Sequence, residues 1–449
     1  MDEITKFSLL YFFIALVAIG GLVVAILAYV KHENNGTTVS QKEGVDGTDA
    51  SISQKEDANV GKQGPIGPDG KDVEFNNGTK WIFATQRNQI EDKASSSGFM
   101  GSKGSVATNS DGTVIVIGSF EDSNKRGSFS IYKRDGQVWK QFGNKLVSSV
   151  FLGPKSKLGY SVAISDSGNT IAVGGPEDDN GAGSCFIFEK VSNKWVEQEK
   201  LTSYDFSKDS NQGVSLAISG DGDTLVIGAD NSNGGIGSVC IWTRRNHIWS
   251  EKQSLTPEEE KTCNFGNSLS VNKEGTVIAV GSPKQGGGEG VIHIFKIGVD
   301  AKWYISKKLT IDNSVDLGIN VDLDSKGTTL VAGCPQNGCA YVWKFTDDWN
   351  LSAGKLMGIG GTGKIQSCDV SISGEGDVIV IGSNGDGFWV FGLKDSIWSQ
   401  CGKHVFGTGG TGSAQGSSVT ICREGGIVIV SDPTHNTGDG CVWVFERIK

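Results

Sequence analysis

Ten carboxylates lie in polar segments that follow short apolar runs at regular intervals along the chain. Clustered carboxylates on one face of a protein attract a basic protein segment or cations through complementary charge. The other interpretation is that these segments are ordinary solvated loops. The ten candidate partner-binding residues are Glu121, Asp122, Glu177, Asp178, Asp179, Asp230, Glu289, Asp386, Asp432 and Asp439.

Carboxylates in turns suggest metal binding first, but each turn of this sequence carries too few of them for a calcium site. Turns such as Asn109-Ser-Asp111-Gly112 carry one or two carboxylates, whereas Ca²⁺ takes about six to eight oxygen ligands. Asp221 and Asp223 come nearest to a calcium loop. The sequence has no CxxC pair and no Cys/His cluster of the kind that binds zinc. We therefore expect neither a metal nor a cofactor.

Nucleotide binding and catalysis have weaker signals. The segment Gly358-Ile-Gly360-Gly-Thr-Gly363-Lys364 has the glycine and lysine spacing of a phosphate-binding loop, but Ile365 stands where Ser or Thr would hold magnesium. None of the five histidines lies beside a candidate nucleophile. We expect a protein that is not an enzyme. The alternative is a glycan hydrolase, which needs two carboxylates ~5–10 Å apart at a channel mouth.

One unit of four strand patterns recurs seven times and decides the fold. In its second copy, Val162 to Ser165 is followed by the turn Asp166-Ser-Gly168 and the almost wholly apolar run Thr170 to Val173. Apolar strands of this kind are buried on both faces, and the turn glycine supplies a positive φ angle. The intervals between turn glycines run from 49 residues (327 to 376) to 56 (112 to 168). These glycines are Gly112, Gly168, Gly222, Gly275, Gly327, Gly376 and Gly425.

A tryptophan marks the start of the fourth strand in six of the units. These are Trp139, Trp195, Trp249, Trp303, Trp349 and Trp398. The seventh unit ends at Lys449 without one, while the segment 77–85, with Trp81, precedes the first unit. We predict that this segment pairs beside Glu446 and completes the seventh sheet. The sequence therefore predicts an all-β fold, a closed seven-bladed β-propeller of four-stranded blades over residues 76–449.

These repeats resemble the FG-GAP repeats of integrin-α-type propellers. The "FG" position holds Phe265-Gly266, Leu158-Gly159 and Gln212-Gly213, and the "GAP" position holds Gly174-Gly-Pro176 and Gly281-Ser-Pro283. The resemblance covers about residues 75–449 and implies a propeller. The calcium loop that the family often carries is not matched by the turns of this sequence.

The N-terminal segments point to a membrane. Residues 1–6 form a short tail, and 7–30 is an uncharged run long enough for a single-pass transmembrane helix of ~36 Å. A cleaved signal peptide fits less well, because no small-residue cleavage site follows. Residues 31–75 form a polar linker with collagen-like triplets at 61–72. An extended linker and a stalk that joins copies of the chain both fit these triplets.

Composition limits the partner and the compartment. The net charge of −10 argues against a nucleic-acid partner. Among the nine cysteines, Cys185, Cys240, Cys339 and Cys441 recur at similar repeat positions, which is typical of buried strand residues.

We therefore expect a membrane-anchored, non-enzymatic module for attachment, adhesion or envelope structure, with a protein or a glycan as ligand. An anchor, collagen-like triplets and a divergent propeller together are similar to virion membrane proteins of large DNA viruses. The side of the membrane on which the propeller lies stays open, since the flanking charges favour the cytoplasm only slightly.

Overall fold

The computed structural model describes residues 82–91, 105–150, 153–258, 261–361, 366–408 and 414–448. Within these ranges the chain forms seven four-stranded antiparallel sheets, which are the blades. In blades 1 to 6 the four strands follow one another in sequence from the inside outwards. The seven turn glycines have φ angles between 66° (Gly168) and 79° (Gly222), as predicted for the hairpin turns.

The first four blades contain strands β2 to β17. Blade 1 has β2 (Val106–Thr108), β3 (Val114–Ser119), β4 (Ser128–Asp135) and β5 (Val138–Gln141); blade 2 has β6 (Val162–Ile164), β7 (Thr170–Gly175), β8 (Ser184–Val191) and β9 (Lys194–Leu201). Blade 3 has β10 (Leu216–Ile218), β11 (Thr224–Ala229), β12 (Ser238–Arg245) and β13 (Ile248–Leu255); blade 4 has β14 (Ser268–Val271), β15 (Val277–Ser282), β16 (Val291–Ile297) and β17 (Trp303–Leu309).

The remaining blades contain β18 to β28 and the strand nearest the N-terminus, β1. Blade 5 has β18 (Val321–Leu323), β19 (Thr329–Cys334), β20 (Cys339–Phe345) and β21 (Trp349–Leu356); blade 6 has β22 (Gln366–Ile372), β23 (Val378–Ser383), β24 (Gly387–Lys394) and β25 (Ile397–Gln400). Blade 7 has β26 (Val419–Ile421), β27 (Ile427–Asp432), β28 (Cys441–Ile448) and β1 (Ile82–Glu91).

Short helical turns lie between the second and third strands of six blades, all except blade 6. Three are α-helical, Asp122–Lys125, Asp178–Gly181 and Ser232–Gly235, and three are 3₁₀ turns, Gln285–Gly287, Pro335–Asn337 and His435–Gly438. In blade 5 the segment between β19 and β20 spans only residues 335–338.

Blade 7 is completed by strands from both ends of the described chain. Strand β1 pairs with β28 in antiparallel fashion, with Ile82 opposite Ile448 and Thr85 opposite Glu446. The neighbour of Glu446 therefore belongs to the predicted segment, and the described strand continues beyond residue 85 to Glu91. Residues 77–81 lie outside the described residues.

The seven blades close into a ring around a central channel. The innermost strands contact one another in the cycle β2, β6, β10, β14, β18, β22, β26 and back to β2. At one end of the channel lie the hairpin turns that join the first and second strands of each blade, and their backbone N–H groups donate to carbonyls of the neighbouring turn. This circle runs Ser110 N to Asp166 O, Asp166 N to Gly220 O, Gly220 N to Lys273 O, Lys273 N to Ser325 O, Ser325 N to Gly374 O, Gly374 N to Arg423 O and Glu424 N to Ser110 O.

The hydrophobic core lies between the blades. Each cluster of buried apolar side chains combines two adjacent sheets. One between blades 1 and 2 contains Phe129 and Phe186, and one between blades 3 and 4 contains Val239 and Phe265. Such strands are apolar on both faces because both faces meet a neighbouring sheet.

Glycines of the "FG" and "GAP" positions meet at these interfaces. A Cβ on Gly174 of blade 2 would lie 2.1 Å from the carbonyl oxygen of Gly213, which begins blade 3. The equivalent distance from Gly281 to the Gly318 oxygen is 2.0 Å. Only glycine allows this approach of one blade's backbone to the next.

The predicted transmembrane helix 7–30, linker 31–75 and collagen-like triplets 61–72 lie outside the described residues. No helix within the described ranges is both long enough and apolar enough to cross a bilayer.

Candidate binding face

Two kinds of connection emerge at the same edge of every blade. In each blade, the third strand starts at the edge where the segment from the second strand ends, and it runs to the opposite edge. The fourth strand runs back, so the connection to the next blade also starts at the first edge. We call this edge the loop face. The opposite edge carries the hairpin turns between strands one and two and between strands three and four, and we call it the turn face.

Five of the ten predicted carboxylates belong to the interior of the loop face and not to its surface. These are Asp122, Asp178, Asp230, Asp386 and Asp432, of which the most exposed, Asp230, has 8% of its surface accessible. Their expected exposure was therefore wrong. The physical reason is that the protein itself supplies hydrogen-bond donors to them, and a buried carboxylate with such partners is stable inside a fold.

Blades 1 and 2 share one arrangement around the buried aspartate. Asp178 Oδ2 accepts a hydrogen bond from Ser184 Oγ (2.9 Å) and lies 2.6 Å from Lys200 Nζ. Its Oδ1 accepts from the backbone N–H of Gly153 (3.0 Å). The serine begins the third strand and the lysine lies in the fourth, so the aspartate fastens its loop to the rest of the blade.

Asp122 repeats this arrangement in blade 1. Its Oδ2 accepts from Ser128 Oγ (2.7 Å) and lies 3.1 Å from Lys145 Nζ. Burial alone would raise the pKa of Asp122, but the Ser128 hydroxyl and the Lys145 ammonium together hold that pKa below its usual value. The carboxylate is therefore charged and structural.

The other buried aspartates also serve the loops. Asp230 accepts hydrogen bonds from the side-chain amides of Asn211 (3.3 Å) and Asn267 (3.1 Å), which link blade 3 to the connections on both sides. Asp432 ends β27 and accepts from the backbone N–H of Thr434 (2.9 Å). Asp386 lies in the short segment before β24 and is fully buried.

The other five carboxylates remain accessible. Asp179 and Glu289 are exposed, while Glu121, Glu177 and Asp439 are half-buried. Glu177 pairs with Lys157 (2.6 Å) and Glu121 with Lys125 (3.6 Å), so part of this charge is compensated locally. Asp179 and Glu289 are therefore the two of the ten carboxylates that are exposed on the loop face.

Exposed apolar side chains on the loop face were not foreseen. They lie on the connections between blades, where the sequence shows no periodicity that would separate an exposed residue from a core residue. Tyr204 has 98% of its surface accessible. The others are Val147, Val150, Val315, Met357, Ile359 and Phe406.

The glycine-rich segment at 358–364 has a packing role in its described part. A Cβ on Gly358 would lie 2.2 Å from the Trp389 indole, whose Nε1 donates to the Ile359 carbonyl (3.1 Å). Gln400 binds the same backbone, accepting from Ile359 N at 2.8 Å. The glycine lets the chain lie flat on a tryptophan. Lys364 lies outside the described residues.

The central channel is narrow, and both polar and apolar groups line it. It has a volume of about 200 Å³ and is lined by first-strand residues such as Val106, Ala163 and Ile218. At the loop face it meets a cavity of about 150 Å³ that includes Tyr160, Asn320 and Asp369.

Carboxylates along the channel are held by protein groups. Asp322 accepts from Ser270 Oγ (3.0 Å) and Ser371 Oγ (2.9 Å), and its burial raises its pKa. Asp166, at the turn face, is bound by Arg423 Nε (2.8 Å). Carboxylates that are already bound by protein groups do not favour the hydrolase alternative. No group of three or more metal-binding side chains occurs among the described residues.

Comparison with known proteins agrees with the repeat pattern. Residues 195–241 match the FG-GAP repeat family. The match runs from the fourth strand of blade 2 into the third strand of blade 3 and includes both Gly213 and Gly228. A search of curated protein sequences gave no match. The chain thus carries an FG-GAP repeat within a seven-bladed β-propeller.

Proposed function

We propose that this protein is a non-enzymatic binding module, tethered to a cellular or viral envelope membrane by residues 7–30, that engages a protein partner through its loop face. The observation that carries the proposal is the set of exposed apolar side chains there, with Tyr204 foremost. Accessible aromatic and aliphatic groups rimmed by polar residues are typical of protein-interaction sites.

The position of the chain entry supports this choice of face. Strand β1 begins at Ile82, opposite Ile448, at the end of β28 that lies on the turn face. The chain from the proposed anchor therefore joins the propeller on the turn-face side. The loop face is then the side free to meet a partner away from the anchor.

Cross-linking mass spectrometry on native membranes or particles tests the proposal. Lys125 and Lys284 report on the loop face, and Lys194 and Lys302 report on the turn face. We expect links from the first pair to one defined protein. Links to other proteins from the second pair alone, or none outside the chain, would contradict the proposal.

Matched variants sharpen this test. Tyr204→Ser and Val147→Ser should each weaken capture of the linked protein by roughly tenfold, since a buried interface anchor is worth ~1–2 kcal/mol or more. Val299→Ser is the control, because Val299 is fully accessible but lies in the turn between β16 and β17 on the turn face. Asp179→Lys with Glu289→Lys should weaken binding of a basic partner in a salt-dependent way.

A further inference from the structure

The described residues form an ion pair between neighbouring blades near the turn face at two interfaces, those between blades 7 and 1 and between blades 2 and 3. The basic member lies opposite the marker tryptophan, as Arg134 does to Trp139 and Arg244 to Trp249. The acidic member comes from the third strand of the preceding blade. Arg134 Nη2 lies 2.8 Å from Glu446 Oε1 between blades 7 and 1, and Arg244 pairs with Glu189 between blades 2 and 3.

The interface between blades 1 and 2 breaks this pattern. Lys190 lies opposite Trp195 and takes the basic position, but Lys133 occupies the position of Glu446 and Glu189. Both ammonium groups approach one ring, with Lys133 Nζ 4.1 Å and Lys190 Nζ 5.9 Å from the centre of Phe142. Two lysines thus meet where the interfaces between blades 7 and 1 and between blades 2 and 3 form a salt bridge.

No described carboxylate neutralises this pair. Asp135, near Lys133 in sequence, binds Lys140 (2.6 Å), and Glu189, next to Lys190, binds Arg244. Neither Lys133 nor Lys190 makes an ion pair within the described part of the chain. Burial and the Lys190 ammonium lower the pKa of Lys133 to about 8, so Lys133 remains mostly protonated at pH 7.

Lys190 borders open space, and both lysines are half-buried. A groove of about 670 Å³ begins at Lys190 and extends along the turn face to Arg245 and His247 of blade 3. Two of its carboxylates, Glu189 and Asp223, are bound to Arg244. Because neither lysine is fully buried, a small ligand can reach the pair from solvent.

We propose that Lys133 and Lys190, with the Phe142 ring beneath them, form a binding site for a small oxyanion of the phosphate or sulfate class. The oxyanion takes the place of the carboxylate that Glu446 and Glu189 supply at the two interfaces with a salt bridge. Two ammonium groups donate to its oxygens, and neutralising them removes the repulsion between blades 1 and 2.

Thermal unfolding of the full-length chain tests this site. The midpoint is measured at pH 7 in rising sodium sulfate, with sodium chloride adjusted to constant ionic strength. We expect the midpoint to rise by a few degrees and to level off as the site fills. Sodium phosphate should give the same pattern.

Two variants separate the site from the general stabilising effect of sulfate. Lys133→Glu gives this interface the acid–base pair of the two interfaces with a salt bridge, so its midpoint in chloride should exceed that of the unaltered protein and its saturable sulfate response should vanish. Lys133→Met removes the charge and keeps the stem on Phe142, and should also lose the response. Lys252→Glu, on the exposed outer strand of blade 3, is the matched control and should keep it. An equal sulfate response in all variants, or none in the unaltered protein, would overturn the site.

The pH dependence gives a second measurement. The titratable groups around Lys133 are Lys190 on β8 and the mutually bound Asp135 and Lys140 on β4 and β5. As pH rises through about 8, Lys133 loses its proton in the folded protein before it does so in the unfolded chain. Stability in chloride should therefore rise above pH 8 while the sulfate response falls. A sulfate response that is unchanged between pH 7 and 9 would contradict the assignment.

Discussion

Asp122 and Asp178 show what decides the role of a single carboxylate in this protein. Each lies in a polar loop and is followed six positions later by a serine that donates to it. Each also meets a lysine from a later segment of its blade. Sequence composition cannot separate such an aspartate from an exposed neighbour such as Asp179.

Removing the charge of Asp122 should reveal this structural role. Asp122→Asn loses the Lys145 ion pair inside the loop, and we expect a loss of about 1–3 kcal/mol in the free energy of unfolding at pH 7. Because the pKa of Asp122 is lowered in the folded protein, its contribution exists above the unfolded pKa and disappears as pH falls through the folded value. The difference from the unaltered protein should therefore shrink near pH 3.

Urea unfolding at the two pH values provides the measurement. Asp135→Asn is the control, because Asp135 also binds a lysine but is largely exposed, and its replacement should leave stability unchanged. Equal effects of the two substitutions would show that the loop aspartate is not structural.

The local signals in the sequence were sufficient for the turns but not for the candidate site. A glycine between two apolar runs predicts a positive φ angle because the requirement lies within a few residues. Exposure of Asp230 or Tyr204 depends instead on groups from other segments. Asn211 and Asn267 cover Asp230 from neighbouring connections, and no local pattern announces them.

At the scale of strands and blades, backbone contact between adjacent sheets is the controlling feature. The "GAP" glycine of one blade faces the "FG" glycine of the next, so the two halves of the repeat pattern belong to one interface. This explains how a repeat whose other residues vary widely keeps glycine in both places.

Gly174→Ala tests this explanation. The added Cβ would fall 2.1 Å from the Gly213 oxygen and 2.3 Å from Ser161 Oγ. The blades must move apart, and we expect a loss of about 1–3 kcal/mol in the free energy of unfolding. Gly426→Ala is the control, since its Cβ would meet no atom within 4 Å. Denaturant unfolding would refute the explanation if the two substitutions had equal effects.

The pairing of the two chain ends was visible in the sequence because the seventh repeat lacks its fourth strand. Its bounds were not visible. Pairing continues as far as Glu91 opposite Cys441, and the extent of a strand is set by the length of the partner beside it and not by its own composition.

For the whole molecule, β1 should stabilise the closed ring without being required for its formation. A chain that begins at residue 92 leaves the outer edge of β28 unpaired, whereas the inner circle of backbone hydrogen bonds contains no residue of β1. We expect its unfolding midpoint to lie about 5–10 °C below that of a chain beginning at residue 76, with a greater tendency to associate through the open edge.

Calorimetry and light scattering on the two chains give the comparison. An unchanged midpoint would mean that β1 adds nothing to the ring. Complete loss of the folded state would mean that the inner circle of hydrogen bonds does not stabilise a ring in which blade 7 has only three strands.

The circle of hydrogen bonds from Ser110 through Arg423 and Glu424 back to Ser110 also bears on how such a chain tolerates change. A linear series of blades separates when the contact between two of them is lost. A closed ring stays connected through its remaining six contacts and separates only after a second contact is lost. One unfavourable joint, such as that between Lys133 and Lys190, can therefore persist in the ring. This redundancy leaves individual joints free to diverge in sequence and to acquire ligands of their own.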